Sequence, residues 1–161
     1  MNVIHTKILN ALHILTHPIE LSYIYAMETI QIIFKGDLSA LSRHMKSGVE
    51  IMTDAPVDNQ GKGSSFSPTD LLAASLGCCM MTIMAIASKT HQINLEGTTI
   101  GITKIMASEP RRVKEIQVDF HFPNINYTEK EKAILEKAAR TCPVAMSLHP
   151  ELTQTIHFNY Q

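Results

Sequence analysis

The sequence predicts an α+β fold organised around one long, uncharged helix. Three observations carry that expectation. Residues 67–90 open on "SPTD" and then run from Leu71 to Ser88 without a charge. Stretches of strand-like alternation lie on both sides of that segment. A second, charged helical pattern begins near residue 128. The resulting order is β-β-α-β-β-α-α-β, which mixes strands and helices without the strict alternation of a parallel sheet.

Residues 1–27 stand apart. Ile4, Ile8, Leu12 and Leu15 mark one face of a short amphipathic helix, and Pro18 ends it. This segment reads as a helical N-terminal appendage, with the main domain spanning 28–161. From Thr29, "TIQIIFKGDL" is a β-rich run ending at Gly36-Asp37. "VEIMTDAP" is a second extended stretch after a turn at Lys46-Ser47-Gly48. "VDNQGKGSS" is the most flexible-looking loop. In "SPTD", Ser67 can cap, Pro68 takes the first helical position, and Asp70 can reach back to the cap and meet the positive helix end. Strands follow near Thr98 to Met106 and over "VKEIQVDFHF", where Ile116, Val118, Phe120 and Phe122 share a face. Thr128 and Glu131 form a capping box for "TEKEKAILEKAART". Cys142-Pro143 ends that helix, and "PVAMSL" opens a short one. A last strand carries Ile156, Phe158 and Tyr160.

Composition narrows the function. At 161 residues and 45% hydrophobic content the chain suits a domain with a real core. A net charge of -1 supplies no field for nucleic acid or an anionic membrane. The uncharged segment is at the short end for a span and rich in small and hydroxyl residues, so no membrane span is expected. The N-terminus lacks the unbroken apolar run of a signal peptide, because His5, Lys7, His13 and His17 interrupt it. Three cysteines suit a reducing, cytoplasmic setting. A helix apolar nearly all round needs cover on nearly all sides, and a second copy of the chain could supply it. A homodimer is therefore expected.

The cysteines carry the chemistry. A thiol inside an apolar helix is most often inert packing. Cys78 and Cys79 point about 100° apart on a helix, so they meet different neighbours. No CxxC pair is present, and no metal site is expected. Cys142 stands at a helix start, where backbone N–H groups and the dipole favour a thiolate. If the buried and the helix-start thiol meet, they make a peroxidatic and resolving pair that passes through a sulfenic acid to a disulfide.

"SPTDLLAASLGCC" and "ARTCPVAMSL" resemble the OsmC/Ohr family of small thiol-dependent peroxidases, over about residues 28–160. The resemblance implies an OsmC-like fold: antiparallel sheets with a long buried Cys-bearing helix, in an intertwined homodimer with active sites at the subunit interface. The family's spacing from its helix-start proline selects Cys79 as peroxidatic, leaving Cys78 as a small core residue. Cys142 takes the resolving place. Relatives have a Glu where this chain has Thr69, with Asp70 one place on as a helix cap. The family's catalytic Arg is best matched by Arg43, which also reads as a solvated turn residue. These departures bring the chain closer to the broader OsmC-like branch.

The expected function is reduction of organic or lipid hydroperoxides, with an apolar pocket lined by Leu72, Leu76 and Ile83. No cofactor is bound; the resemblance implies a dithiol reductant such as dihydrolipoamide. The alternative is a non-catalytic protein of the same fold, holding an apolar or fatty-acyl ligand at the dimer interface.

Overall fold

A computed structural model of the protein describes residues 28–161. The expected helical appendage at 1–27 lies outside the described residues. The described chain divides between Ser65 and Phe66 into two compact units.

The first unit is an antiparallel sheet of β1 (Ile30–Gly36), β2 (Ser39–His44) and β3 (Glu50–Asp54), in that order. The sequence reading had two strands here. The third arises because Asp37 and Leu38 both adopt left-handed backbone, φ 47° and 63°. Two such residues make a tight hairpin turn matched to strand twist, so the chain reverses where Gly36-Asp37 had read as an end. β2 itself, "SALSRH", has a single large apolar residue and little strand signal. The Gly/Ser loop after β3 is tied down. Asp54, buried, accepts bonds on Oδ2 from the Ser64 amide at 2.9 Å and the Ser64 hydroxyl at 2.7 Å. Those two bonds hold its carboxyl below the usual range.

The second unit holds the long helix α1 (Pro68–His91), the hairpin β4 (Thr99–Ser108) and β5 (Arg111–His121), the helices α2 (Glu129–Arg140) and α3 (Pro143–Ser147), and β6 (Thr153–Asn159). Its sheet has the order β4-β5-β6. β4 and β5 run antiparallel, but β6 lies parallel to β5, so this sheet is mixed rather than antiparallel. The α2–α3 crossover makes that parallel return possible.

The core follows the predicted periodicity. Ile116, Val118 and Phe120 on β5, and Phe122 just past it, are essentially inaccessible. Val113 also faces inward, three residues before Ile116, because a bulge shifts the β4–β5 register between Ile105 and Met106. Leu76, Met80 and Met84 of α1 and Leu135 and Ala139 of α2 complete the core. Gly77 permits the close approach of α1 to β4: a Cβ there would collide with Cδ1 of Ile102. The aromatic end is continuous, with Phe120 stacked on Phe158 at 5.2 Å and Phe122 on Tyr160 at 4.3 Å.

α1 is long and apolar enough to cross a membrane by length and composition alone. One side of it packs on the sheet and on α2. The opposite side, with Leu72, Ser75, Cys78, Thr82 and Ile86, is exposed.

Candidate active site

α1 begins as the sequence predicts. The Ser67 hydroxyl accepts from the Asp70 amide at 3.1 Å, and Asp70 Oδ2 accepts from the Ser67 amide at 2.7 Å. Pro68 contributes a preset φ where an N–H would go unused. This cap fixes the helix phase and so decides which side each later residue takes.

That phase separates the two adjacent thiols. Leu76, Gly77 and Met80 are buried against the sheet and α2. Cys79 lies beside them, half-buried and packed on the core. Cys78 is exposed. The expectation that Cys78 is a small core residue is therefore corrected: about 100° of helix rotation carries it to the outward side.

Cys142 arrives from the other direction. It follows α2, caps α3, and is fully buried. Its Sγ accepts from the Ala145 amide at 3.3 Å. Cys79 packs against the core cluster that contains Cys142 and lies near enough to act on its thiol. The structure thus brings together the two thiols that the sequence set 63 positions apart, and leaves the third outside.

The electrostatics of Cys142 differ from the sequence reading. The helix start was expected to favour its thiolate. Burial outweighs that effect and pushes the Cys142 thiol up, while the Ala145 N–H pulls it partly back. Interaction with the neighbouring Cys79 side chain raises it further. Cys142 accordingly favours its protonated form more than a free thiol does.

Among the expected pocket residues, Leu72 lines a cleft of about 640 Å³. Leu76 is fully buried in the core, and Ile83 packs half-buried against it. Leu76 cannot line an open pocket in this arrangement. Arg43 lies exposed on β2, opposite Gln31 on one side and Glu50 on the other, in the first unit.

The sequence reading missed Lys104. Its Nζ reaches Asp70 Oδ1 at 2.6 Å and donates to the hydroxyl oxygens of Thr69 at 2.8 Å and Ser67 at 3.2 Å. The signal was present: Ile100, Ile102, Lys104 and Met106 share one strand face, and Gly77 meets Ile100 and Ile102. A lysine with that parity points at the helix start. Lys104 first, and then Ser67, bring the Asp70 carboxyl down to about 2. Asp70 is a cap and an ion-pair partner, as its capping role predicts.

This pair gives a pH-dependent expectation. A carboxyl depressed on folding adds stability above its usual value of 3.8, and that stability is lost as pH falls through about 2. The Asp70 side chain is 41% exposed, so screening leaves about 1 kcal/mol. Lys104→Met should cost about that much near neutral pH, with the difference from wild type shrinking in acid. Urea unfolding at both pH values measures it; equal stability throughout would show the pair to be inert.

Comparisons with known proteins agree with this fold. A family model described as OsmC-like protein matches residues 61–157. No curated protein matches. Among solved structures, one is a protein of Psychrobacter arcticus 273-4 assigned by name to osmotic stress induction and a detoxification response. It shares 47% identity and a TM-score of 0.79, over 83% of this chain and 96% of its own. The organic hydroperoxide resistance protein OsmC of Legionella pneumophila has 16% identity and a TM-score of 0.65, over 83% and 98%. The organic hydroperoxide resistance protein of Elizabethkingia anophelis, with thiocyanate bound, has 16% and 0.63, over 84% and 98%. The last two speak for the fold. The matched segment contains both cysteine motifs, and this chain belongs to the OsmC-like family.

Proposed function

We propose that the protein is a thiol-dependent peroxidase that reduces organic hydroperoxides in a reducing, cytoplasmic setting. The observation that carries this reading is the packing of Cys79 against the core cluster that holds the buried Cys142, near enough to act on its thiol. The Cys79 thiolate attacks one peroxide oxygen, the O–O bond breaks, and the alkoxide leaves as an alcohol after taking a proton. Cys79 is left as sulfenic acid. Cys142 then attacks that sulfur, water departs, and the two residues are joined as a disulfide. A dithiol such as dihydrolipoamide restores both thiols and becomes a disulfide itself. Steady-state consumption of an organic hydroperoxide with dihydrolipoamide tests the reading; absence of turnover with wild type would overturn it.

The protein acts as an intertwined homodimer, with Arg43 serving the thiolate. The support is an apolar strip on one face of β1 that stays exposed among the described residues, with Ile32 67% and Phe34 71% exposed. Isolated chains rarely leave such a strip to water. Ile32→Asp with Phe34→Asp should shift the species seen by light scattering from dimer to monomer. A wild-type monomer at micromolar concentration would contradict this.

Thr69 favours the second reading, a non-catalytic protein holding an apolar ligand. It stands where relatives place a Glu, and its hydroxyl accepts from Lys104. Co-purified lipid, together with no peroxide turnover, would establish that alternative.

A further inference from the structure

The cleft of about 640 Å³ in the second unit lies apart from the thiol pair, whose sulfurs do not line it. Its walls come from three places: the first turns of α1, the β4–β5 corner, and the segment after α3. Leu72, Pro110, Val113, Leu148 and Leu152 form an apolar lining. The volume is that of an ordinary small-molecule site. Leu76, fully buried, stands between Leu72 and Cys79 along α1, so the cleft and the thiols are separate places on one helix.

Arg112, His149 and the Glu151 carboxylate line the cleft beside the hydroxyls of Thr69 and Ser147. The two nitrogen donors give it a preferred ligand once Glu151 turns out to solvent. Arg112 is the lining residue with a permanent positive charge, and its side chain is 38% exposed. It spends one nitrogen on Glu151, at 3.1 Å, and that carboxylate is 68% exposed. An exposed pair of this kind is weak, and a guanidinium carries five N–H donors in a fork that suits a carboxylate. His149 also lines the cleft. Its Nδ1 accepts from the Glu151 amide at 3.2 Å, which places the ring proton on Nε2 as a second donor.

We propose that this cleft binds a medium-chain monocarboxylate, with the apolar chain against Leu72, Val113 and Leu148 and the carboxylate on Arg112 and His149. The site uses neither thiol, although it shares Leu72 with the expected substrate pocket and Thr69 with the place where relatives carry a Glu; the titration below reads binding without turnover.

The test is a nitrogen-15 NMR titration of the full chain with octanoate, octanol and octylammonium, on wild type and Arg112→Ala. Octanoate should move the Leu72, Val113 and Leu148 amides in a saturable way. Octanol and octylammonium should bind about tenfold more weakly or worse, the worth of one charged hydrogen bond. Arg112→Ala should bring octanoate down to the octanol level at an unchanged melting temperature. If that variant is destabilised, Arg112→Gln, which keeps a polar head without the charge, should give the same loss. Octanol equal to octanoate, indifference to both substitutions, or no shifts at these amides would overturn the proposal.

Discussion

Cys79→Ser should abolish hydroperoxide reduction, a loss of several orders of magnitude, because a hydroxyl cannot be oxidised to a sulfenic acid. Cys78→Ala should leave both turnover and disulfide formation nearly intact. The two residues are adjacent in sequence, so the contrast isolates geometry from composition. Cys78 is exposed on the outward side of α1, whereas Cys79 packs on the core beside Cys142. Cys142→Ser should permit the first oxidation and stop there, with Cys79 trapped as sulfenic acid or as a mixed disulfide with the reductant. Peroxide consumption and trapping by a sulfenic-acid reagent read the three variants. Reversal, with Cys78→Ala inactive and Cys79→Ser active, would show that the helix phase is misassigned.

Phe120→Ala should be the most damaging single change to the fold. Phe120 is fully buried on β5, the central strand, where it pairs with Ile100 on β4 and Phe158 on β6. Its ring lies 5.2 Å from Phe158 and 6.1 Å from Phe122. Truncation removes the ring and leaves a cavity that close-packed strands on both sides cannot collapse. The expected cost is about 3–5 kcal/mol, a large share of the stability of a domain this size. Urea unfolding followed by circular dichroism measures it. A cost under about 1 kcal/mol would mean that the sheet does not carry the core.

Most of the second unit was legible because its signals are local. Ser67, Pro68 and Asp70 state the start of α1, and Thr128 and Glu131 state the start of α2, by bonds spanning three residues. Alternation at Ile116, Val118 and Phe120 states the inward side of β5. What was missed depends on partners distant in sequence. The parallel pairing of β6 with β5 is set by a crossover, which no local pattern encodes. β2 was missed because Leu38 adopts φ 63°, a conformation unusual for leucine.

The site divides along the same line. Helical spacing showed that Cys78 and Cys79 face different ways. The direction of each was settled by packing, with Gly77 and Met80 buried and Cys78 outside. The thiol of Cys142 was misjudged because a helix start is visible in sequence and complete burial is not. Lys104 went unnoticed because its three oxygen partners lie 34 to 37 residues away.

The most direct measurement is mass spectrometry of the wild-type protein after one equivalent of an organic hydroperoxide. The account predicts the loss of two hydrogens and a single cross-linked peptide pair joining Cys79 to Cys142, reversed by dihydrolipoamide. A protein that remains fully reduced, or a cross-link that joins Cys78 to Cys142, would contradict it.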